Sequence, residues 1–206
     1  MTQRTVGYLR VERAGPLAML QDAGRFGTRR LGVTQGGPAD PHAFAWANRL
    51  LGNAWGAAAL EVSLGGLVLV AERTTRLALG GADLQASVEG EAVAPWRAIT
   101  LREGQRLGFA TPLNGLRGPA LNCRLPGLIS EGIALGAVQV PPDGQPIALL
   151  NDRQTIGGYP RLGTLTPLAC ARLAQCAPGQ EVHLVATPLG RAQVGHRRFL
   201  EAMGGG

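Results

Sequence analysis

Residues Ala59–Phe109 read ALEVSLGGLVLVAERTTRLALGGADLQASVEGEAVAPWRAITLREGQRLGF. Short apolar and β-branched runs lie inside this stretch: LEVSL (60–64), LVLV (67–70), RLAL (76–79), LQASV (84–88), ITL (99–101) and RLGF (106–109). Gly65–Gly66, Gly80–Gly81, Glu89–Gly90 and Gly104 separate them. Turn signals at this interval predict a mainly β fold, a compact sheet or barrel. Gly80, Gly81 and Asp83 could supply a binding loop or a hairpin turn. The turn is favoured, because Gly–Gly and Asp are turn residues on physical grounds.

Towards the N-terminus, GPLAMLQDAGRFGTRRLGV (Gly15–Val33) predicts a short strand running into a loop, with Gly24, Gly27 and Gly32 where positive φ or close backbone approach is cheap. A helix follows: Asp40 can cap it, Pro41 suits its first position, Phe44, Ala47 and Leu51 share a face, and Gly52 stops it. Towards the C-terminus, Thr111–Gly127 is crowded with proline and glycine and reads as a connection. Ala137–Val140 and Ile147–Leu150 read as strands framing the Pro141–Pro146 loop. Thr166 and Pro167 start a helix carrying Leu168, Arg172 and Leu173, which Pro178–Gly179 ends. Glu181–Ala186 alternates like a final strand, Arg191–Met203 reads as a helix, and Gly204–Gly206 as a disordered tail.

At 206 residues and 45% hydrophobic content the chain can bury a real core. Aromatics are only 4%, so that core must be aliphatic, and stacking platforms for single-stranded nucleic acid are not expected. The net charge of +6 is spread along the chain, with dense pairs only at Arg29–Arg30 and Arg197–Arg198, so no nucleic-acid partner is expected. No apolar run approaches the ~20 residues of a membrane helix, and the N-terminus lacks a signal-peptide core. A soluble, cytoplasmic protein with no membrane partner is the expectation. All 20 basic residues are arginine. Without lysine the chain can supply neither a Walker A loop, a Schiff base, nor a biotin attachment point. Cys123, Cys170 and Cys176 lack CxxC spacing, and His42, His183 and His196 lie far apart, so no metal site is expected.

Chemistry concentrates in QVPPDGQPIALLNDRQTIGGYPRLG, Gln139–Gly163. Asp143–Gly144 makes a tight turn that presents Asp143 and Gln145. Asn151, Asp152, Arg153, Gln154 and Thr155 then follow an apolar strand directly, supplying a carboxylate, a guanidinium fork, amides and a hydroxyl at one sheet edge. Gly157–Gly158 would let backbone N–H groups approach an anion, with Tyr159 and Arg161 adding a hydroxyl and a second cation. The set suits a carboxylate or phosphate-bearing substrate. From spacing alone a purely structural reading, with an Asp152–Arg153 salt bridge and a Gly157–Gly158 hairpin turn, weighs equally with the binding reading.

The run SEGIALGAVQVPPDGQPIALLNDRQTIGGYPRLGTL (Ser130–Leu165) resembles the C-terminal signature of the biotin-dependent carboxyltransferase family, also called allophanate hydrolase subunit 2 or the 5-oxoprolinase C subunit. LQDAGRFGTRRLGVTQGGPADPHAFAWANRLLGN (Leu20–Asn53) is similar to its N-terminal signature, and ALEVSLGG and LGGADLQASVEGEAVAPWR continue in the same order. The resemblance implies a mainly β fold with a few short helices, a cyclophilin-like β-barrel usually built as two related lobes. Here residues 1–110 would be part of the N-terminal lobe, 111–129 a connection and 130–206 part of the C-terminal lobe. The family's long middle region is missing, so the halves would close into one compact barrel or leave an open edge for a partner or second copy. A homo-oligomer stays open.

The function this implies is a subunit of an ATP-dependent amidohydrolase that opens 5-oxoproline to glutamate with companion subunits, ATP acting through the complex. The alternatives are a non-catalytic binding or regulatory relative, or a carboxyltransferase component acting on urea or a similar amide, with biotin on another chain. Asp152, Arg153 and Tyr159 are the catalytic candidates. Gln139, Asp143, Gln145, Gln154, Thr155, Gly157, Gly158, Arg161 and Asp83 are the substrate-binding candidates, with Arg161 standing where the family often has lysine. The general base is open among Glu61, Asp83, Asp143 and Asp152.

Overall fold

A computed structural model describes residues 9–110, 130–176 and 179–203. The readings for Thr111–Gly127, Cys123 and Gly204–Gly206 lie outside the described residues. The chain divides into two units, residues 1–22 with 43–113 and residues 23–42 with 114–206. In that division residues 23–42 fall with the C-terminal segment. Asn151 and Gln175 of that segment donate hydrogen bonds to the Pro38 carbonyl and the Asp40 carboxylate.

In the first unit the described elements are β1 (Leu9–Arg13), β2 (Leu17–Gln21), most of α1 (Pro41–Leu51), β3 (Ala59–Ser63), β4 (Val68–Ala71), β5 (Thr75–Leu79), β6 (Ser87–Val88), β7 (Glu91–Ala92), β8 (Arg97–Leu101) and β9 (Arg106–Gly108). Every run read from Ala59–Phe109 contributes a strand. The pairings are antiparallel: one sheet has the order β1-β4-β9-β6-β7, and β2-β3 and β5-β8 pair separately. Ala71, Ala86, Leu101 and Leu107 form the buried core, with Leu77, Leu79, Val88, Val93, Ile99 and Phe109 packed on it. It is aliphatic save one phenylalanine, as the composition required.

Helix α1 starts at Pro41 and ends at Leu51, and Gly52 at φ +72° turns the chain away. It buries Ala43, Phe44 and Ala45 as well as Asn48, a polar residue that hydrophobic periodicity does not flag. Asn48 is satisfied locally: its Nδ2 donates to the carbonyls of Trp55 and Ala57, at 3.3 and 2.8 Å, and its Oδ1 accepts from Asn53. The side chain therefore stitches the chain leaving the helix to the helix itself.

The second unit contains β10 (Glu131–Gly132), β11 (Ala137–Gln139), β12 (Ile147–Ala148), β13 (Ile156–Gly157), β14 (Arg161–Thr164), α2 (Pro167–Ala174) and α3 (Leu189–Ala202). Its sheets have the orders β12-β11-β14 and β10-β13. Ile133, Ala137 and Leu149 form a small buried cluster. The start of α2 is the one read from sequence: Pro167 opens it, and the Thr166 hydroxyl accepts from the Ala169 N–H at 3.2 Å. Thr166→Ala should therefore cost about 1 kcal/mol of stability in a denaturant titration, and Thr166→Ser much less. Burial pushes the Cys170 thiol up from its ordinary range, against a smaller lowering from its own backbone N–H, so it stays a neutral core group.

One element differs from expectation. Glu181–Ala186 is not a strand; it runs exposed with Val182, Leu184 and Val185 in solvent. Alternation favours a strand only where another strand completes the ladder, and none of the described strands does so. Among the described residues no helix is long and apolar enough to cross a membrane.

Candidate functional site

The site is built on the end of β11. Ala137, Val138 and Gln139 are all buried, and the ladder to β14 is irregular between Val138 and Gln139. Such an irregularity breaks the in–out alternation of a strand, which lets a glutamine follow two apolar residues into the interior. Gln139 is fully buried. Its Oε1 accepts from Gln154 Nε2 at 3.4 Å, while its own Nε2 has no acceptor.

Gly157 makes the space Gln139 needs. It lies in β13, opposite Glu131, and not in a turn. A Cβ added there would collide with Ile133 Cδ1 and lie 3.0 Å from Gln139 Nε2. Neither Gly157 nor Gly158 has a positive φ. The hairpin-turn reading of this pair is therefore corrected: Gly157 is a strand residue and a steric requirement of the buried side chains beside it.

The polar run after β12 divides by burial. Asn151 and Arg153 are buried, Asp152 and Gln154 are exposed, and Thr155 is half-buried. Asn151 Nδ2 donates to the Pro38 carbonyl, tying the run to the 23–42 segment. Arg153 Nη1 donates to the Leu150 carbonyl at 3.2 Å, and its Nε has no acceptor. Asp152 and Arg153 form no ion pair among the described residues, so the local salt bridge is corrected too. Adjacent residues of opposite burial cannot meet without bringing the carboxylate inside.

The 23–42 segment supplies the facing wall. The Arg25 N–H donates to the Gln35 carbonyl at 2.7 Å, closing a loop. Gly24 holds φ +85° where a Cβ would meet Gln35 O at 2.8 Å and Gly36 O at 3.0 Å. This glycine is needed for conformation and space alike. The loop brings Thr34 and Gln35 to a shallow hollow of about 180 Å³, open mouth included, whose other sides are Asn151, Arg153, Gln154, Thr155 and Ile133. The lining holds amides, hydroxyls and a guanidinium, and no carboxylate.

The structure thus brings Arg153, Gln154 and Thr155 together, with Gln139 and Gly157 supporting them. Asp143 is used by its own turn, its Oδ1 accepting from the Gln145 N–H at 3.0 Å, while the Gly144 N–H donates to the Pro141 carbonyl. Gln145, Asp152 and Tyr159 are exposed, and Gly158 is half-buried; none lines the hollow. Arg161 is paired with Glu131 at 2.8 Å and also reaches the Gly132 carbonyl. Asp83 belongs to the first unit, where its Oδ1 accepts from the Gln85 N–H at 2.8 Å and holds a turn, as its residue type suggested. Thr34, Gln35 and Ile133 were not singled out from the sequence. Their signal was the TQGGPAD part of the N-terminal block, which local reading treats as loop. Among the described residues no group of three or more His, Cys, Asp or Glu side chains could hold a metal ion.

The chain is similar to known proteins in sequence and in fold. The sequence matches the family described as carboxyltransferase domain, subdomain A and B, over residues 31–120 and 118–186. It is 27% identical to the 5-oxoprolinase C subunit of Escherichia coli K12 over an alignment of 302 positions that spans 95% of this chain and 97% of that protein. The alignment is longer than the 206 residues available, so the relative carries sequence that this chain lacks. Urea amidolyase of Saccharomyces cerevisiae is 31% identical over 104 residues, half of this chain and 6% of that protein. Among solved structures, TTHA0988 superposes with a TM-score of 0.73 at 25% identity, covering 87% of this chain and 56% of its own. Urea amidolyase of K. lactis superposes at 0.78 and 15% identity, covering 95% of this chain and 20% of its own, a likeness of fold alone. The chain therefore spans just over half of one solved relative and a fifth of the other. The family match covers most of the chain, in pieces that meet at residues 118–120, within the shortened connection. The chain belongs to the carboxyltransferase domain family, subdomains A and B.

Proposed function

We propose that this chain is a subunit of an ATP-dependent amidohydrolase that opens 5-oxoproline to glutamate together with companion subunits. The observation that carries this reading is the similarity to the 5-oxoprolinase C subunit along nearly the whole chain. A lactam is resonance-stabilised, so its ring opening needs activation of the carbonyl oxygen, which phosphorylation from ATP provides. The hollow does not fit a nucleoside triphosphate: it is small, and a single guanidinium lines it. In this reading ATP acts through the complex with the companion subunits. The contribution of this chain is to bind and orient the small substrate through Arg153, Thr155 and Gln35.

The sequence present in the relative and absent here favours a second reading, a non-catalytic partner that retains the binding site. A carboxyltransferase component acting on an amide, with biotin on another chain, follows from the urea amidolyase similarity over half the chain. The discriminating experiment mixes the purified chain with the companion subunits, ATP and 5-oxoproline and measures glutamate. The first reading expects ATP-dependent glutamate well above that of the companions alone. Co-purification with no added turnover would establish the second, and carboxylation dependent on a biotinylated partner the third.

A further inference from the structure

We propose that the hollow is a carboxylate-recognition site in which Arg153 is the specificity-determining residue, selecting an acid-bearing lactam over a neutral amide. This rests on the reading of the hollow as the substrate site. The carrying observation is a buried cation without a counter-charge among the described residues. Arg153 is 8% exposed, its Nε is sealed from solvent without an acceptor, and its Nη1 meets only a neutral carbonyl. Burying a guanidinium is unfavourable unless it is paired. The neighbouring Asp152 is exposed and does not pair with it, and no residue lining the hollow is acidic. Arg161, in the same unit, has the carboxylate partner that Arg153 lacks.

The missing anion is then one that arrives with the ligand. A guanidinium presents parallel N–H donors that match the two oxygens of a carboxylate. A carboxylate suits the site better than a phosphate, because one positive charge lines the hollow and the other polar lining residues, Thr34, Gln35, Asn151, Gln154 and Thr155, are neutral. Gln154 also lines the hollow, exposed and held to Gln139 by a long 3.4 Å contact, so it is the lining side chain freest to move when a carboxylate reaches Arg153. The shallow hollow takes the acid group and leaves the ring at its mouth, available to companion subunits.

The test is calorimetric titration of the full chain with 5-oxoproline, with 2-pyrrolidinone as the same lactam lacking the acid, with acetate, and with inorganic phosphate. The expected result is that 5-oxoproline binds, acetate competes with it, and 2-pyrrolidinone binds at least about tenfold more weakly. Arg153→Gln should weaken 5-oxoproline binding roughly 10- to 100-fold, as loss of a charged hydrogen bond does, and leave 2-pyrrolidinone unchanged. The ligand-free variant should melt at or above the wild-type temperature, since an unpaired buried charge has been removed. Equal binding of 5-oxoproline and 2-pyrrolidinone, tighter binding of phosphate than of any carboxylate, or no binding at all would overturn the assignment. A lower melting temperature for Arg153→Gln would make the residue structural and overturn it as well. Acid-selective binding with no glutamate formed would sink the amidohydrolase reading alone. Unchanged kcat/KM for 5-oxoproline in an Arg153→Gln complex would sink this inference alone.

Discussion

Gly136→Ala is expected to lower the stability of the second unit by about 2–5 kcal/mol. Gly136 immediately precedes β11 and holds φ +80°, where an L-residue is strained by roughly 1–2 kcal/mol. Space is lacking as well: the added Cβ would lie 2.7 Å from the Leu165 carbonyl oxygen and 2.9 Å from Cys170 Sγ. The backbone cannot retreat cheaply, because the Gly136 N–H donates to the Leu149 carbonyl and its own carbonyl accepts from the Leu165 N–H, both at 2.8 Å. Cys170 is itself buried in α2. Overpacking of this kind adds about 1–3 kcal/mol to the strain. Urea unfolding of wild type and variant measures the loss. Gly163→Ala is the control, since a Cβ there meets nothing within 4 Å, and its effect should stay within about 0.5 kcal/mol. A loss below about 1 kcal/mol for Gly136→Ala would mean that the turn can rearrange and does not hold β11 in place.

Asn151→Ala is expected to cost about 1–3 kcal/mol and to weaken ligand binding at the hollow. Asn151 is buried, and its Nδ2 donates to the carbonyl of Pro38, also buried. Removing the amide leaves that carbonyl without this donor, and leaving a buried acceptor unpaired costs more than the hydrogen bond contributes on average. The same bond ties the loop bearing Thr34 and Gln35 to the run bearing Arg153. Stability and affinity should therefore fall together, as followed by urea unfolding and by titration with 5-oxoproline. Asn151→Asp should be at least as damaging, because a carboxylate would face a carbonyl oxygen. Full retention of affinity in Asn151→Ala would show that the loop is held in place by other contacts.

These residues mark how far the sequence could be read. The strands of Ala59–Phe109, the start of α1 at Pro41 and the Thr166–Pro167 start of α2 were all legible, because each is specified by neighbours within a few positions. That Arg153, Gln154 and Thr155 form a polar run after an apolar strand was legible, since such a run is visible locally, and all three line the hollow. The run's division into buried and exposed members was not. Asp152 and Arg153 are both charged and adjacent, and only the surrounding packing makes one a solvent group and the other an unpaired buried cation.

Gly157 shows the same limit from the other side. As a letter it signals a turn, yet it is required by the positions of Ile133 and Gln139, which local reading cannot supply. Glu181–Ala186 has the alternation of a strand and lacks a partner among the described residues, so pattern alone overstated it. The order of residues was enough for the mainly β class, the starts of α1 and α2 and the family, because period, caps and contiguous motifs are local properties. It took the folded chain to join residues 23–42 to the C-terminal unit, to set Thr34 and Gln35 against Arg153, and to bury Arg153 without a counter-charge. Those are relations between residues distant in the chain, set by which hydrogen bonds and contacts the fold closes.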